Sequence, residues 1–195
     1  MKTCKEFRSA PIMADEHDLT VTGYAAVLEQ RTELFEQDGV KYYEIIDKNA
    51  FNGADMSDVC FRYNHSDDFF ILARTRNKTL QLEVDAKGLK ITANLADISQ
   101  GHDLYKLIKR KDVAQMSFAF FVADNGSIYD VQTHTRRIMH FQKIVDVSAV
   151  DFPAYDSTNI DAIGSARSYF KAQAEAEKMA QMELKRRKLI CLTYL

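Results

Sequence analysis

Leu80-Gln81-Leu82-Glu83-Val84-Asp85-Ala86-Lys87-Gly88-Leu89-Lys90-Ile91-Thr92-Ala93-Asn94-Leu95 is the stretch that decides the fold class. Apolar side chains at 80, 82 and 84, and again at 89, 91, 93 and 95, alternate with polar ones, the period of a half-buried strand. Asp85 to Gly88 separates the two runs as a turn, with Gly88 expected at the positive φ of a tight hairpin. The same alternation extends in both directions, from about residue 19 to 150. It predicts strands near Leu19–Leu28, Lys41–Ile46, Val59–Asn64, Gln115–Val122, Ser127–Val131 and Arg136–Val150, with Asn125-Gly126 marking a second hairpin. Two helices are expected among them, a short one over about 47–55 behind Asp47 as N-cap, and one over Ser99–Arg110 that ends in basic residues. The class is α+β with a mainly antiparallel sheet.

The 195 residues suit one domain, and 46% hydrophobic residues with 12 Phe and 9 Tyr supply a core. A formal charge of −2 gives no field that would draw nucleic acid or a membrane surface. Cys4, Cys60 and Cys191 lack the number and spacing of a disulfide framework or zinc site, and no apolar run reaches the roughly 18–20 residues of a membrane span. A soluble, unsecreted protein is expected. Composition changes after Gly164. Residues 165–188 contain no Gly or Pro, are rich in strong helix formers, and hold seven Lys/Arg against three Asp/Glu. Residues 1–164 are therefore read as the folded domain and 165–195 as a basic helical tail closing on apolar Leu189–Leu195.

Three residues carry the candidate chemistry. His65 follows the run Val59–Asn64 and stands at a strand end, where rigid scaffolds present functional groups; a surface or capping histidine is the plainer reading. Ser117 lies in Gln115–Val122, on the strand face opposite Met116, Phe118 and Phe120, beside small Ala119, which leaves room for a substrate. Asp146 sits amid Ile144, Val145, Val147, Ala149 and Val150, where a lone charge is costly and calls for a partner. That partner is either a histidine, whose tautomer it would fix, or a structural arginine such as Arg136 or Arg137. Phosphate-binding Gly-rich loops, HExxH and GxSxG are absent from the sequence.

The order of several segments is more specific than any one of them: Gly23-Tyr24-Ala25; Glu44–Phe51 ending in Ala50-Phe51; Tyr63-Asn64-His65; Asp85–Leu89; Met116–Phe120; and Val145–Ala154. Over roughly residues 5–163 this order resembles the prohead protease family of tailed bacteriophages, the serine proteases of capsid maturation. The resemblance implies a herpesvirus-assemblin-like fold, a β-barrel with surrounding helices. It also implies a serine endopeptidase that cleaves scaffold and capsid precursors, and itself, inside assembling proheads in the bacterial host cytoplasm. His65 and Ser117 fall on the family's His and Ser positions, and Asp146 on an acidic position often held by Glu. His134 and His140 are alternative third members, and Arg136 or Arg137 are candidate oxyanion donors beside backbone amides. This chemistry requires no metal or cofactor. Its partners would be the major capsid protein precursor, the scaffold and further copies of the chain, with no membrane and no nucleic acid. The tail would be a docking handle, dispensable for folding and trimmed by the protease. A non-catalytic assembly or scaffolding factor on the same fold, and a β-barrel ligand-binding protein, are the competing readings.

Overall fold

In a computed structural model the described residues are 6–14, 19–151 and 160–193. The strands are β1 Glu6–Ala14, β2 Thr20–Val27, β3 Thr32–Gln37, β4 Val40–Ile46, β5 Cys60–Tyr63, β6 Ala73–Arg74, β7 Leu80–Val84, β8 Gly88–Asn94, β9 Gln115–Val122, β10 Ser127–Asp130, β11 Thr135–Ile138 and β12 Phe141–Val150. The helices are α1 Ser99–Arg110 and α2 Ile160–Thr193. Eight strands form one sheet in the order β6-β5-β12-β9-β1-β2-β8-β7, antiparallel except where β5 runs parallel to β12. Its two edges approach each other. The Arg74 N–H on β6 donates to Thr79 Oγ1 just before β7 at 2.9 Å, so the sheet curls into a nearly closed barrel. A second sheet of four strands, β10-β11-β4-β3, stands beside it.

Alternation explains the barrel interior. Met116, Phe118 and Phe120 of β9 are fully buried with Phe61, Val147 and Ala149 from the neighbouring strands. Phe118 and Phe120 stack at 4.8 Å between centroids, and Phe141 meets Phe120 edge-on at 4.7 Å. The hairpin β7–β8 forms as its sequence predicts, but Gly88 is not at positive φ. Glycine is needed there because a Cβ would stand 1.9 Å from the Ala26 carbonyl oxygen.

Three local expectations are corrected. Residues 48–53 form successive turns rather than a helix. The Asp47 carboxylate accepts from Asn49 N–H at 2.9 Å and also holds Arg137, and Gly53 takes φ 79°, so the backbone is committed to Asx and tight turns that plug the barrel end with Ala50 and Phe51. Asn125-Gly126 does not close a hairpin between β9 and β10, which lie in different sheets. The run 136–150 is two strands, because the N–H groups of Met139 and His140 both donate to the Gly126 carbonyl, at 2.7 and 3.0 Å, and the chain changes sheets there. The alternation also conceals β1, which carries charged Glu6 and Arg8 and the donorless Pro11, and β3, whose pattern slips at a bulge between Glu33 and Phe35.

A second core joins the four-stranded sheet to the start of α2. Ala166 and Phe170 are buried with Leu34 and Phe35, and Tyr42, Tyr129 and Tyr169 pack around them. Beneath them Arg136 and Glu44 are both 2% exposed, their charged ends 3.5 Å apart, with the Arg136 guanidinium 4.0 Å over the Tyr169 ring. Past Lys171 the described side chains are mostly exposed, including Met179, Met182 and Leu184.

Surface carboxylates hold the corners of this frame. The Ser57 hydroxyl and N–H, then Lys143, keep Asp55 down at about 2 from an ordinary 3.8, and the Arg74 guanidinium lowers Asp58. Because these folded-state values lie below the unfolded ones, their contribution is complete above about pH 4 and is lost as pH falls through the folded values. Thermal unfolding followed by circular dichroism is expected to show a midpoint that drops between about pH 4 and pH 2. The Asp55→Asn variant should show a shallower drop, and an equal slope contradicts the assignment.

Candidate active site

His65 owes its place to a reversal at the end of β5. Ser66 N–H donates to the Tyr63 carbonyl at 3.1 Å, and between them Asn64 and His65 have φ 52° and 54°. These are the signs of a primed type I turn. Asparagine and histidine enter the left-handed region more often than most side chains, yet each costs on the order of 1–3 kcal/mol there that the surroundings must offset. Those surroundings come from β12 and the residue directly after it. Asn64 N–H donates to the Ala149 carbonyl at 2.9 Å. The Asn64 carboxamide donates to Asp151 Oδ2 at 2.8 Å and accepts from Asp151 N–H at 3.1 Å, and the Tyr63 hydroxyl donates to Asp151 Oδ1 at 2.5 Å. Burial, then this bond, raises the Tyr63 hydroxyl to about 12, so it stays a donor. Arg62 secures the exit of the turn through the Ser66 carbonyl and the Asp67 carboxylate, each at 2.8 Å.

The turn brings the imidazole back over β12. His65 Nδ1 meets Asp146 Oδ1 in a short hydrogen bond, and the Ser148 hydroxyl donates to the same oxygen at 3.0 Å. Asp146 is 3% exposed and Ser148 fully buried. A neutral imidazole that donates Nδ1–H to a carboxylate carries its basic lone pair on Nε2. Sheet register supplies the rest. Ser148 lies opposite Ser117 on β9 and opposite Arg62 on β5, while Asp146 lies opposite Ala119 and Cys60. Ser117, Ala119, Asp146 and Ser148 therefore share the sheet face turned away from the aromatic core. Ser117 is 2% exposed, so this face is covered rather than open as expected from the sequence. Ser117 Oγ has no hydrogen-bond partner among the described residues, so the expected Ser117–His65 hydrogen bond is not formed here.

A buried Asp–His pair thus lies on the same sheet face as a buried serine one strand away. The sequence pattern of the family described as caudovirus prohead serine protease matches residues 8–175. The chain belongs to this family. It is thereby a serine peptidase, a hydrolase of phage capsid maturation, and the family places it in assembling proheads within the host. No match to the chain was found among curated proteins or among solved structures.

In this prohead protease the alternative residues lie elsewhere. His134 Nδ1 is 3.1 Å from the Tyr129 hydroxyl and packs on Tyr42 in the four-stranded sheet, and His140 is exposed where the chain changes sheets. Arg136 is spent on Glu44 and Tyr169, while Arg137 binds Glu29 at 2.9 Å and Asp47 at 3.0 Å. Asp146, in contrast, meets His65 and Ser148. Among the described residues no group of His, Cys, Asp and Glu could hold a metal, and no helix is long and apolar enough to cross a membrane. Sequence reasoning passed over Ser148 and the Tyr63–Asn64–Asp151 contacts. Their signal was there in part, in the asparagine at a strand end and the aspartate directly after the longest strand.

Ser148→Ala removes a buried hydrogen bond to a carboxylate without changing the strand. It is expected to lower stability by about 2 kcal/mol, read as a lower urea midpoint. An unchanged midpoint would show that Asp146 does not depend on this hydroxyl.

Proposed function

We propose that Ser117, His65 and Asp146 form the catalytic triad of this prohead protease, and that its substrates are the scaffold and the capsid protein precursor. The buried contact between Asp146 and His65 Nδ1 supports this most directly, because it leaves Nε2 as the base on the face that carries Ser117. In the reaction His65 Nε2 takes the Ser117 proton as Oγ attacks the scissile carbonyl. The same proton then passes to the leaving amine, and water repeats the sequence to release the acyl group. Base assistance contributes roughly 10²–10⁴-fold, so oxyanion stabilisation and substrate binding must supply much of the remaining acceleration. Substrate binding would draw Ser117 and His65 into hydrogen-bonding distance, as is common where the unliganded site is loose.

Co-expression with the cognate capsid and scaffold proteins, followed by intact mass measurement, tests the assignment. Ser117→Ala and His65→Ala are each expected to abolish cleavage, since triad members act as a unit, and Asp146→Asn to leave more residual activity. Wild-type cleavage by any of the three variants would remove that residue from the mechanism.

We further propose that the division between residues 1–164 and 165–195 is functional, with the exposed stretch of α2 as the handle for scaffold and for other copies of the chain, and a place of self-cleavage. Exposed Met179, Met182 and Leu184 on a helix that leaves the body support this reading. The packing of Phe170 moves the useful truncation point. Ending the chain after residue 175 is expected to give a soluble protein with thermal stability within about 0.5 kcal/mol of the full chain that fails to enter proheads. Ending it at residue 164 also removes Phe170, at about 3–5 kcal/mol. Aggregation of the longer product would assign the distal helix to the fold.

A further inference from the structure

The Asp146 contact orients the His65 ring, but the backbone that carries the ring is held by a different group of residues. Asn64 and Asp151 are both exposed. Their contact is nonetheless reciprocal. One carboxamide donates to Asp151 Oδ2 and accepts from Asp151 N–H, and the second carboxylate oxygen takes the Tyr63 hydroxyl. Only an amide at 64 facing an acceptor at 151 satisfies both bonds at once. The clamp spans the left-handed pair Asn64 and His65, and its far end stands five positions along the chain from Asp146. Both controls on His65, one on the ring and one on the backbone, thus issue from β12 and the residue that follows it. Ser117 is registered to that same strand through Ser148.

We propose that Asn64 and Asp151, assisted by Tyr63, are positioning residues for peptide hydrolysis: they fix the turn that carries His65 at the height on β12 from which Nε2 reaches Ser117. This rests on the triad reading above. A loosened turn misplaces the base without removing it, and a shift of about 1 Å at a reacting group costs on the order of 10²-fold in rate.

The test reads two quantities on the full chain. One is the rate at which a fluorophosphonate probe labels Ser117, followed by intact mass. The other is the downfield proton resonance of the His65 ring shared with Asp146, recorded on the Ser117→Ala protein so that no self-cleavage occurs. Asn64→Gly keeps the left-handed backbone easy and deletes only the side chain, and should slow labelling by roughly 10- to 100-fold. Asn64→Asp sets two carboxylates against each other and should slow it at least as much. The exchanged pair Asn64→Asp with Asp151→Asn restores a donor opposite an acceptor while Tyr63 keeps an oxygen to donate to. It should recover labelling to within about 5-fold of wild type, a coupling that two independent surface residues do not show. The ring resonance should broaden or vanish in Asn64→Gly and Asn64→Asp and return in the exchanged pair. A merely stabilising contact predicts lower melting temperatures with an unaltered resonance and labelling rate. Wild-type labelling by Asn64→Gly, or an exchanged pair no faster than Asn64→Asp, overturns the proposal. Failure of the wild-type protein to label at Ser117 overturns the triad reading instead, and the ring resonance then still decides whether the clamp holds His65.

Discussion

A carboxylate closed off from water on the β12 strand is the constraint on which the site depends. Asp146 has 3% of its surface exposed, and a buried charge of this kind destabilises a fold strongly unless it is met by hydrogen-bond donors. The His65 ring and the Ser148 hydroxyl meet it at one oxygen. To deliver the histidine, β5 must lie directly beside β12 and end close to it, which is the one parallel pairing of the barrel sheet. To turn the histidine back over β12, two consecutive residues must enter the left-handed region. A parallel strand pair and a left-handed turn together bring the histidine to this buried charge.

The two sheets divide the remaining demands. The barrel is filled from inside by the aromatic residues of β9, β12 and the Ala50-Phe51 plug, and this packing makes β9 and β12 a rigid pair on which Ser117 and Asp146 are set. The four-stranded sheet has its own small core, closed by α2, and contains a buried Arg136–Glu44 pair whose charges are matched locally. The Asp146–His65 pair and the small core closed by α2 therefore belong to different sheets. The chain passes from one to the other at Ala123–Gly126 and again at Met139–His140, where the Gly126 carbonyl takes both N–H groups on the return. At Gly126 a Cβ would lie 2.5 Å from the His140 carbonyl oxygen, so the crossing requires glycine for closeness of approach.

Much of this was legible in the residues. Period-two alternation identified most of the strands, because a strand with one face in a core must alternate. The basic end of α1 and the composition of α2 marked both helices. The elements that escaped were those where another term outweighed the pattern. Charges and Pro11 hid β1, a bulge hid β3, β6 is only two residues long, and an Asx turn at Asp47 with the tight turns after it took the place of a helix.

For the site, the sequence by itself determined the chemical types and their strand context: a histidine at a strand end, a serine on the small-residue side of an aromatic strand, and an aspartate that could not stay unpartnered in an apolar run. Those are local properties, set by side-chain solvation and by the two-residue period. Which group would meet the aspartate was not local. His65, Arg136 and Arg137 all lie within reach of some folded arrangement of this chain. Only the strand order, with β5 on one side of β12 and β9 on the other and the two arginines in or beside a second sheet, selected His65. Strand order follows from how curved sheets close and bury their faces together, a balance struck over the whole chain and written in no single segment of it.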